Sequence, residues 1–204
     1  MKRIETAGIP GAASLLAACF NDDELIAAQL EGVSDKESFL KPLFEMQLRV
    51  FVKTMDVLSL DDGVDTLFVG YEQARFSSLK SLYYSLMYNG ALTRSVLKDD
   101  LKVFGTNSRK IASQFKQDWY KRYVSKNFYY IKVMAIEPSQ RGQGKFRRLI
   151  EPALESCRSR NLPVVLETNS AANRAIYEHF GFLCKETFDI QPNGFAVYCY
   201  VKSS

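Results

Sequence analysis

The sequence predicts a mixed α/β fold of the α+β kind, a central sheet flanked by helices with an expanded helical N-terminal half. Three observations carry this. Apolar residues recur at three-to-four spacing through long stretches of the first 124 positions. Two pairs of short apolar runs are each joined by a turn signal, and a strand-helix-strand-helix succession fills most of the span 127–182.

Taken in order, Lys2 to Thr6 reads as a short first strand. "GIPGAASLLAACF" starts a helix at Pro10 and keeps helical spacing through Phe20, and "DDELIAAQLEG" opens with acids that suit a helix N-terminus and closes on Gly32. "DKESFLKPLFEMQLRVFVKTM" places Phe39, Leu43, Met46 and Val50 on one face. "DVLSLDDGVDTLFVGYE" is expected to be a hairpin turning at Asp61-Asp62-Gly63, with strands ending near Leu60 and Glu72. A helical insertion over 75–124 follows, interrupted at Gly90 and Gly105, whose aromatics (Tyr83, Tyr84, Tyr88, Phe104, Phe115, Trp119, Tyr120) are expected to pack inward. "NFYYIKVMAIEP" and "LPVVLET" are buried strands, each followed by a helix; "FLCKETFDI" and "GFAVYCYVKSS" close the chain as an antiparallel hairpin whose last strand offers an edge for pairing.

Composition excludes several functions. The chain has 204 residues, 47% hydrophobic and 25% charged, which suits one domain over 1–204 with a sizeable core. A net charge of +4, with basic residues gathered only around Arg141 to Arg148, does not indicate a nucleic-acid partner. Cys19, Cys157, Cys184 and Cys199 lack C-x-x-C spacing, and His179 is the sole histidine, so no metal is expected. The first apolar run is broken by Pro10 and followed at once by Asn21, Asp22, Asp23 and Glu24, unlike a signal peptide, and no run reaches the roughly 18 residues of a membrane span. A cytoplasmic protein with reduced thiols and no membrane partner is expected.

The most informative stretch is "SQRGQGKFRRLI", Ser139 to Ile150, which sets two glycines and four cations between a strand and a helix, where proteins hold phosphate groups. It is not a P-loop, because Ser139 stands at the first glycine and Phe146 at the Ser/Thr that would bind Mg²⁺. It is not a dinucleotide fingerprint either, since Arg147 occupies the third glycine. Backbone N–H groups at a helix start can bind a pyrophosphate; Gly142 and Gly144 remove the Cβ atoms that would hold it away, and Arg141, Lys145, Arg147 and Arg148 add positive charge.

Together, "AIEPSQRGQGKF" and "NRAIYEHFGF", with a β-α-β spacer between them, resemble the acetyl-CoA-binding core of the GNAT superfamily of N-acetyltransferases, over roughly Tyr129 to Phe182. The resemblance implies a mixed, mostly antiparallel sheet and an acetyl-CoA-binding core over 127–182. It implies acetyl-CoA as acyl donor and a small-molecule or peptide amine as acceptor, attacked directly in a ternary complex. It places cofactor binding at Met134, Ala135, Ile136, Arg141, Gly142, Gln143, Gly144, Lys145, Phe146 and Asn173. The strand ending "VMAIEP" is expected to splay from its neighbour and offer free backbone groups near Met134 and Ile136. Phe146 departs from the family, which usually has Gly or Ala there; its ring would have to point into the core or over the cofactor's edge.

Thioester aminolysis needs a free amine, a stabilised oxyanion and a proton for the departing thiolate. Tyr177 matches the proton donor of many GNAT enzymes, and Asn173, four residues earlier on one helix face, matches a coenzyme A contact. For the general base the candidates are Glu167, at the C-terminal end of a predicted central strand, Glu137, and ordered water. A covalent route through cysteine is disfavoured, because His179 has no visible thiol partner. A non-catalytic acyl-CoA-binding module is the alternative reading. The acceptor's identity and the oligomeric state stay open at this stage.

Overall fold

The computed structural model describes residues 1–203. Its centre is one seven-stranded sheet in the order β1-β2-β3-β4-β5-β7-β6. The strands are β1 (Lys2–Arg3), β2 (Asp56–Ser59), β3 (Thr66–Glu72), β4 (Tyr129–Ile136), β5 (Val164–Thr168), β6 (Leu183–Ile190) and β7 (Phe195–Lys202). Every neighbouring pair is antiparallel except β4 and β5, the strands joined by a helical crossover. This is the mixed, mostly antiparallel sheet that the resemblance implies.

Seven α-helices cover it: α1 (Ile9–Phe20), α2 (Glu24–Gln29), α3 (Lys36–Thr54), α4 (Ser78–Ser95), α5 (Lys98–Ala112), α6 (Lys145–Ser159) and α7 (Ala171–His179). Local chemistry sets several starts. Asp23, Asp35 and Ser77 each accept a backbone N–H from the first turn of α2, α3 and α4, satisfying donors that have no partner inside the helix. The alternation of strand side chains divides the core. Val57, Leu67, Val69 and Ala135 face α1 and α3, while Tyr130, Val165 and Cys199 carry the same side onward to Trp119 and α5. Phe68, Tyr129, Ile131, Val164, Leu166 and Tyr200 face α6 and α7 on the other side.

Four expectations need correction. The helical stretch is not broken at Gly90 or Gly105, which lie inside α4 and α5; the chain breaks at Val96 and Leu97, both extended. A helix-interior glycine costs only about 1 kcal/mol relative to alanine, which packing of the rest of the helix offsets. The aromatics of the same stretch divide: Trp119 is fully buried, whereas Tyr83 is 62% exposed. The last strand is not an edge, because β7 lies between β5 and β6 and the edge falls to β6. Finally, the first strand is two residues long, since only Lys2 and Arg3 pair, with Ser59 and Leu58.

The helical half is tied together at Asp100. In the first turn of α5 this buried carboxylate accepts the backbone N–H of Ser34 at 2.9 Å and its hydroxyl at 2.7 Å, clasping the loop between α2 and α3. Asp100→Ala leaves both donors without their acceptor, so stability should fall by about 1–3 kcal/mol in chemical denaturation with the slope unchanged.

Candidate active site

The site begins with one extra residue. In the β3–β4 ladder Val69 pairs with Val133 and Gly70 with Ile131, so Lys132 is a bulge with no partner of its own. The facing of side chains changes there. Ile131 packs towards α6 and α7, Val133 towards α1 and α3, and Met134 and Ile136 return to the α6 side. At the same place β4 leaves β5: their parallel pairing covers only Tyr129–Ile131 against Val164–Leu166, although β4 runs on to Ile136 and β5 to Thr168. β4 stays paired with β3 along its length, so its edge towards β5 is unpaired from Lys132 onward and faces a wedge that widens towards the C-terminal ends of both strands.

Above this wedge the chain forms a short 3₁₀ turn at Pro138–Gln140, passes Arg141 in extended conformation and enters α6 through Gly142 (φ 76°) and Gly144 (φ 74°). Left-handed backbone at both positions favours glycine, and a Cβ built on either meets nothing within 4 Å, so the loop borders open space. Gly144 is the N-cap of α6 and supplies no side-chain acceptor, and the first turn holds no acid. The uncapped N–H groups and the positive end of the helix thus face outward beside the glycines, a cradle suited to a diphosphate.

The cations of the loop are not equivalent. Lys145 is held by Asp65, before β3, at 2.5 Å and by Gln140, with both members of the ion pair mostly buried. Arg147 pairs with Glu151, contacts His179 at 3.1 Å and lies over the Phe180 ring, clamping α6 to α7. The Nε of Arg141 donates to the Ile136 carbonyl at 3.3 Å, and the Cys19 thiol donates to the same oxygen at 3.2 Å. Gln143 is exposed, its amide 3.5 Å from the Ser139 carbonyl. Phe146 turns towards α7, with its ring 5.9 Å from Tyr177 and 5.5 Å from Phe180.

Tyr177 and Glu167 lie on opposite faces of the sheet. Tyr177 is buried among Phe146, Phe182 and Tyr200, and burial pushes its phenol well above the ordinary value, so the hydroxyl remains a donor. Asn173, half-buried, lies one turn earlier on α7. Glu167 is the first residue of β5 beyond the pairing with β4 and projects to the face of Val165, away from Leu166 and Tyr177. Its Oε1 accepts the Trp119 indole N–H at 2.6 Å, and the buried Tyr130 phenol feels its charge. Burial first, then the Glu167 charge, holds the Tyr130 phenol protonated. Glu137 sits past the end of β4, where its backbone N–H donates to the Asp65 carbonyl.

Sequence reasoning missed Asp65, Cys19, Tyr130 and Trp119 as parts of this region, and also Asn169, whose amide reaches Asp23 of the α1–α2 turn at 3.0 Å. Periodicity marks Tyr130 and Trp119 only as apolar; nothing local tells that both come close to one carboxylate 37 and 48 positions away. Among the described residues no group of three or more His, Cys, Asp or Glu is placed to hold a metal ion.

The acetyltransferase (GNAT) family model matches residues 72–182, more than half of the chain. The chain belongs to this family. GNAT membership extends to a relative across nearly the whole sequence: an uncharacterized N-acetyltransferase of Schizosaccharomyces pombe is 29% identical over 91% of this chain and 75% of its own. Solved structures share the fold at lower identity. A Corynebacterium glutamicum protein described as histone acetyltransferase HPA2 and related acetyltransferase has a TM-score of 0.68 at 16% identity, covering 99% of this chain and 94% of its own. Arylalkylamine N-acetyltransferase 2 of Aedes aegypti has a TM-score of 0.61 at 15% identity, covering 99% and 97%. In this GNAT chain the wedge, the glycine loop and α7 converge at one end of the sheet.

The Asp65–Lys145 pair anchors the loop to β3 and has a pH signature. The hydrogen bond from Lys145 is the main cause holding the Asp65 carboxyl below its usual range. A carboxyl depressed in the folded state adds stability above its unfolded pKa, about 4, and loses it as pH falls through the folded value. Asp65→Asn should therefore cost about 1–3 kcal/mol at pH 7 and flatten the loss of stability below pH 4, as read from thermal unfolding at stepped pH.

Proposed function

We propose that this protein is an acetyl-CoA-dependent N-acetyltransferase acting on the primary amine of a small molecule or peptide by direct attack in a ternary complex. The observation that carries the reading is the unpaired β4 edge beyond Ile131, running up to a glycine loop and an uncapped helix N-terminus. Those parts suit the amide-bearing arm and the diphosphate of one extended ligand. In this reading residues 127–182 form the acetyl-CoA-binding core of a single domain, and residues 75–124 are an insertion shaping the acceptor side. The amine named in the Aedes relative supports an amine acceptor.

Bound acetyl-CoA supplies an activated thioester carbonyl. Free N–H groups near Met134 and Ile136 polarise that carbonyl and stabilise the oxyanion. Ala135 anchors the strand between them by packing into the core on the α1 side. Gly142, Gln143 and Gly144 present backbone to the diphosphate, with Arg141 beside them. Lys145 acts on the loop through Asp65, and Phe146 supports Tyr177 by packing on it. Asn173 holds the coenzyme arm from α7.

Glu167 takes one proton of the incoming ammonium, directly or through water, oriented by the Trp119 indole N–H. As the C–S bond breaks, Tyr177 gives its proton to the departing thiolate, and the second proton shed by the amine nitrogen returns to the Tyr177 oxygen through water.

Calorimetric titration tests the binding half of the reading. Acetyl-CoA should bind saturably and ATP with Mg²⁺ should not; Gly142→Val should weaken acetyl-CoA binding, by closing the open space beside the loop and straining φ. Absence of acetyl-CoA binding would sink the proposal.

Turnover tests the rest. Tyr177→Phe keeps the ring packing and removes the proton donor, so kcat should fall by about 10²–10⁴ while acetyl-CoA affinity stays nearly constant. With the wild type, no loss of rate from tyrosine ionisation should appear up to pH 10, because burial raises the Tyr177 pKa. Unchanged turnover in Tyr177→Phe would remove Tyr177 from the mechanism.

A further inference from the structure

Helix α4 is turned the wrong way round for a protein that works alone. The side towards its own fold carries Ser81, Tyr84, Ser85 and Tyr88, with Leu92 its one fully buried residue. The opposite side shows Leu79 at 79% exposure, Leu82 at 57%, Tyr83 at 62%, Leu86 at 69% and Met87 at 48%. These positions follow the i, i+3, i+4, i+7, i+8 spacing of a packing face, so serines meet the fold while leucines meet solvent.

We propose that this face docks a second copy of the same chain, making the protein a two-fold homodimer through α4. Three features of the strip select that occupant. The five side chains present on the order of 600 Å² of largely apolar surface, approaching the roughly 800 Å² per partner of a standard interface, and a patch of that size is rarely left open on a monomer. Between Leu79 and Ala91 the single charged residue is Lys80, at the rim, so the strip offers nothing to select an acidic or a basic partner and nothing to repel its own copy.

The strip is also self-complementary. With two α4 helices antiparallel about an axis crossing between Tyr84 and Ser85, Leu82 faces the partner's Met87 and Tyr83 faces the partner's Leu86. Leu79 then faces the partner's Gly90, where a Cβ would meet nothing within 4 Å and the helix surface is notched. Large opposite small at each end, and large beside large in the middle, is the pattern an isologous helix pair requires.

Sedimentation velocity on the purified full chain, over a concentration series up to about 100 µM, should give a species of twice the 23.2 kDa chain mass. Leu86→Glu, at an exposed position, should leave the circular dichroism spectrum unchanged and weaken self-association at least about thirtyfold. Leu183→Glu, on the exposed edge strand β6, should leave the dimer intact. Leu82→Cys with Met87→Cys, in a Cys184→Ser background, should form a covalent dimer under mild oxidation. A monomer at every concentration would overturn the proposal, as would a dimer that survives Leu86→Glu, one lost with Leu183→Glu, or failure of the cysteine pair to cross-link. None of these readouts involves acetyl-CoA, so the dimer and the acetyltransferase reading stand or fall separately.

Discussion

The arrangement of the site depends on the bulge at Lys132. One extra residue in β4 against β3 reverses the facing of every side chain beyond it and bends the strand away from β5. Without it, two parallel neighbours would continue their ladder to the strand ends, and the backbone groups from Lys132 to Ile136 would be consumed in the sheet. With it, they line a wedge whose mouth lies under the glycine loop. The wedge is stable because β4 remains paired with β3 on its other side and because Met134 and Ile136 pack towards α6. A half-paired strand in the middle of a sheet is normally costly; here the open half is where an extended, amide-rich ligand would complete the ladder.

Two buried environments flank that wedge, and they are chemically unlike. On the α6 and α7 face, Tyr177 stands in an aromatic cluster of Phe146, Phe182 and Tyr200, where burial opposes ionisation and keeps the proton on the phenol. On the other face, Glu167 accepts the Trp119 indole N–H, and the nearby Tyr130 phenol is kept protonated by burial first and by the Glu167 charge second. One side is an aromatic cluster around a phenol, and the other sets a carboxylate against an indole N–H. Phe146 belongs to the first of these: its ring packs against Tyr177 and Phe180, not over the loop.

The helical half serves other ends. Asp100 clasps the loop between α2 and α3 to α5, Asn169 binds the α1–α2 turn to the end of β5, and Trp119 reaches Glu167 from the segment after α5. The N-terminal helices are thereby coupled to the mouth of the wedge. Helix α4 takes no part in this and leaves its apolar face outward.

The sequence by itself determined the kinds of elements and the glycine loop at the start of α6. Periodicities of 3.6 and 2, the glycines at 142 and 144, and the spacing of Asn173 and Tyr177 are local properties, and local properties survive in a one-dimensional reading. Even the splaying of the VMAIEP strand was legible, through the resemblance those motifs carry. Only the tertiary structure decided where the strands part, because a bulge is a mismatch between two strands and cannot be read from one. It also decided which face of α4 turns inward, since an apolar stripe names a buried side without naming what buries it. The same holds for Glu167. Its position at a strand end was visible, but the indole that bonds it and the phenol nearby come from distant positions, and only the fold makes them neighbours.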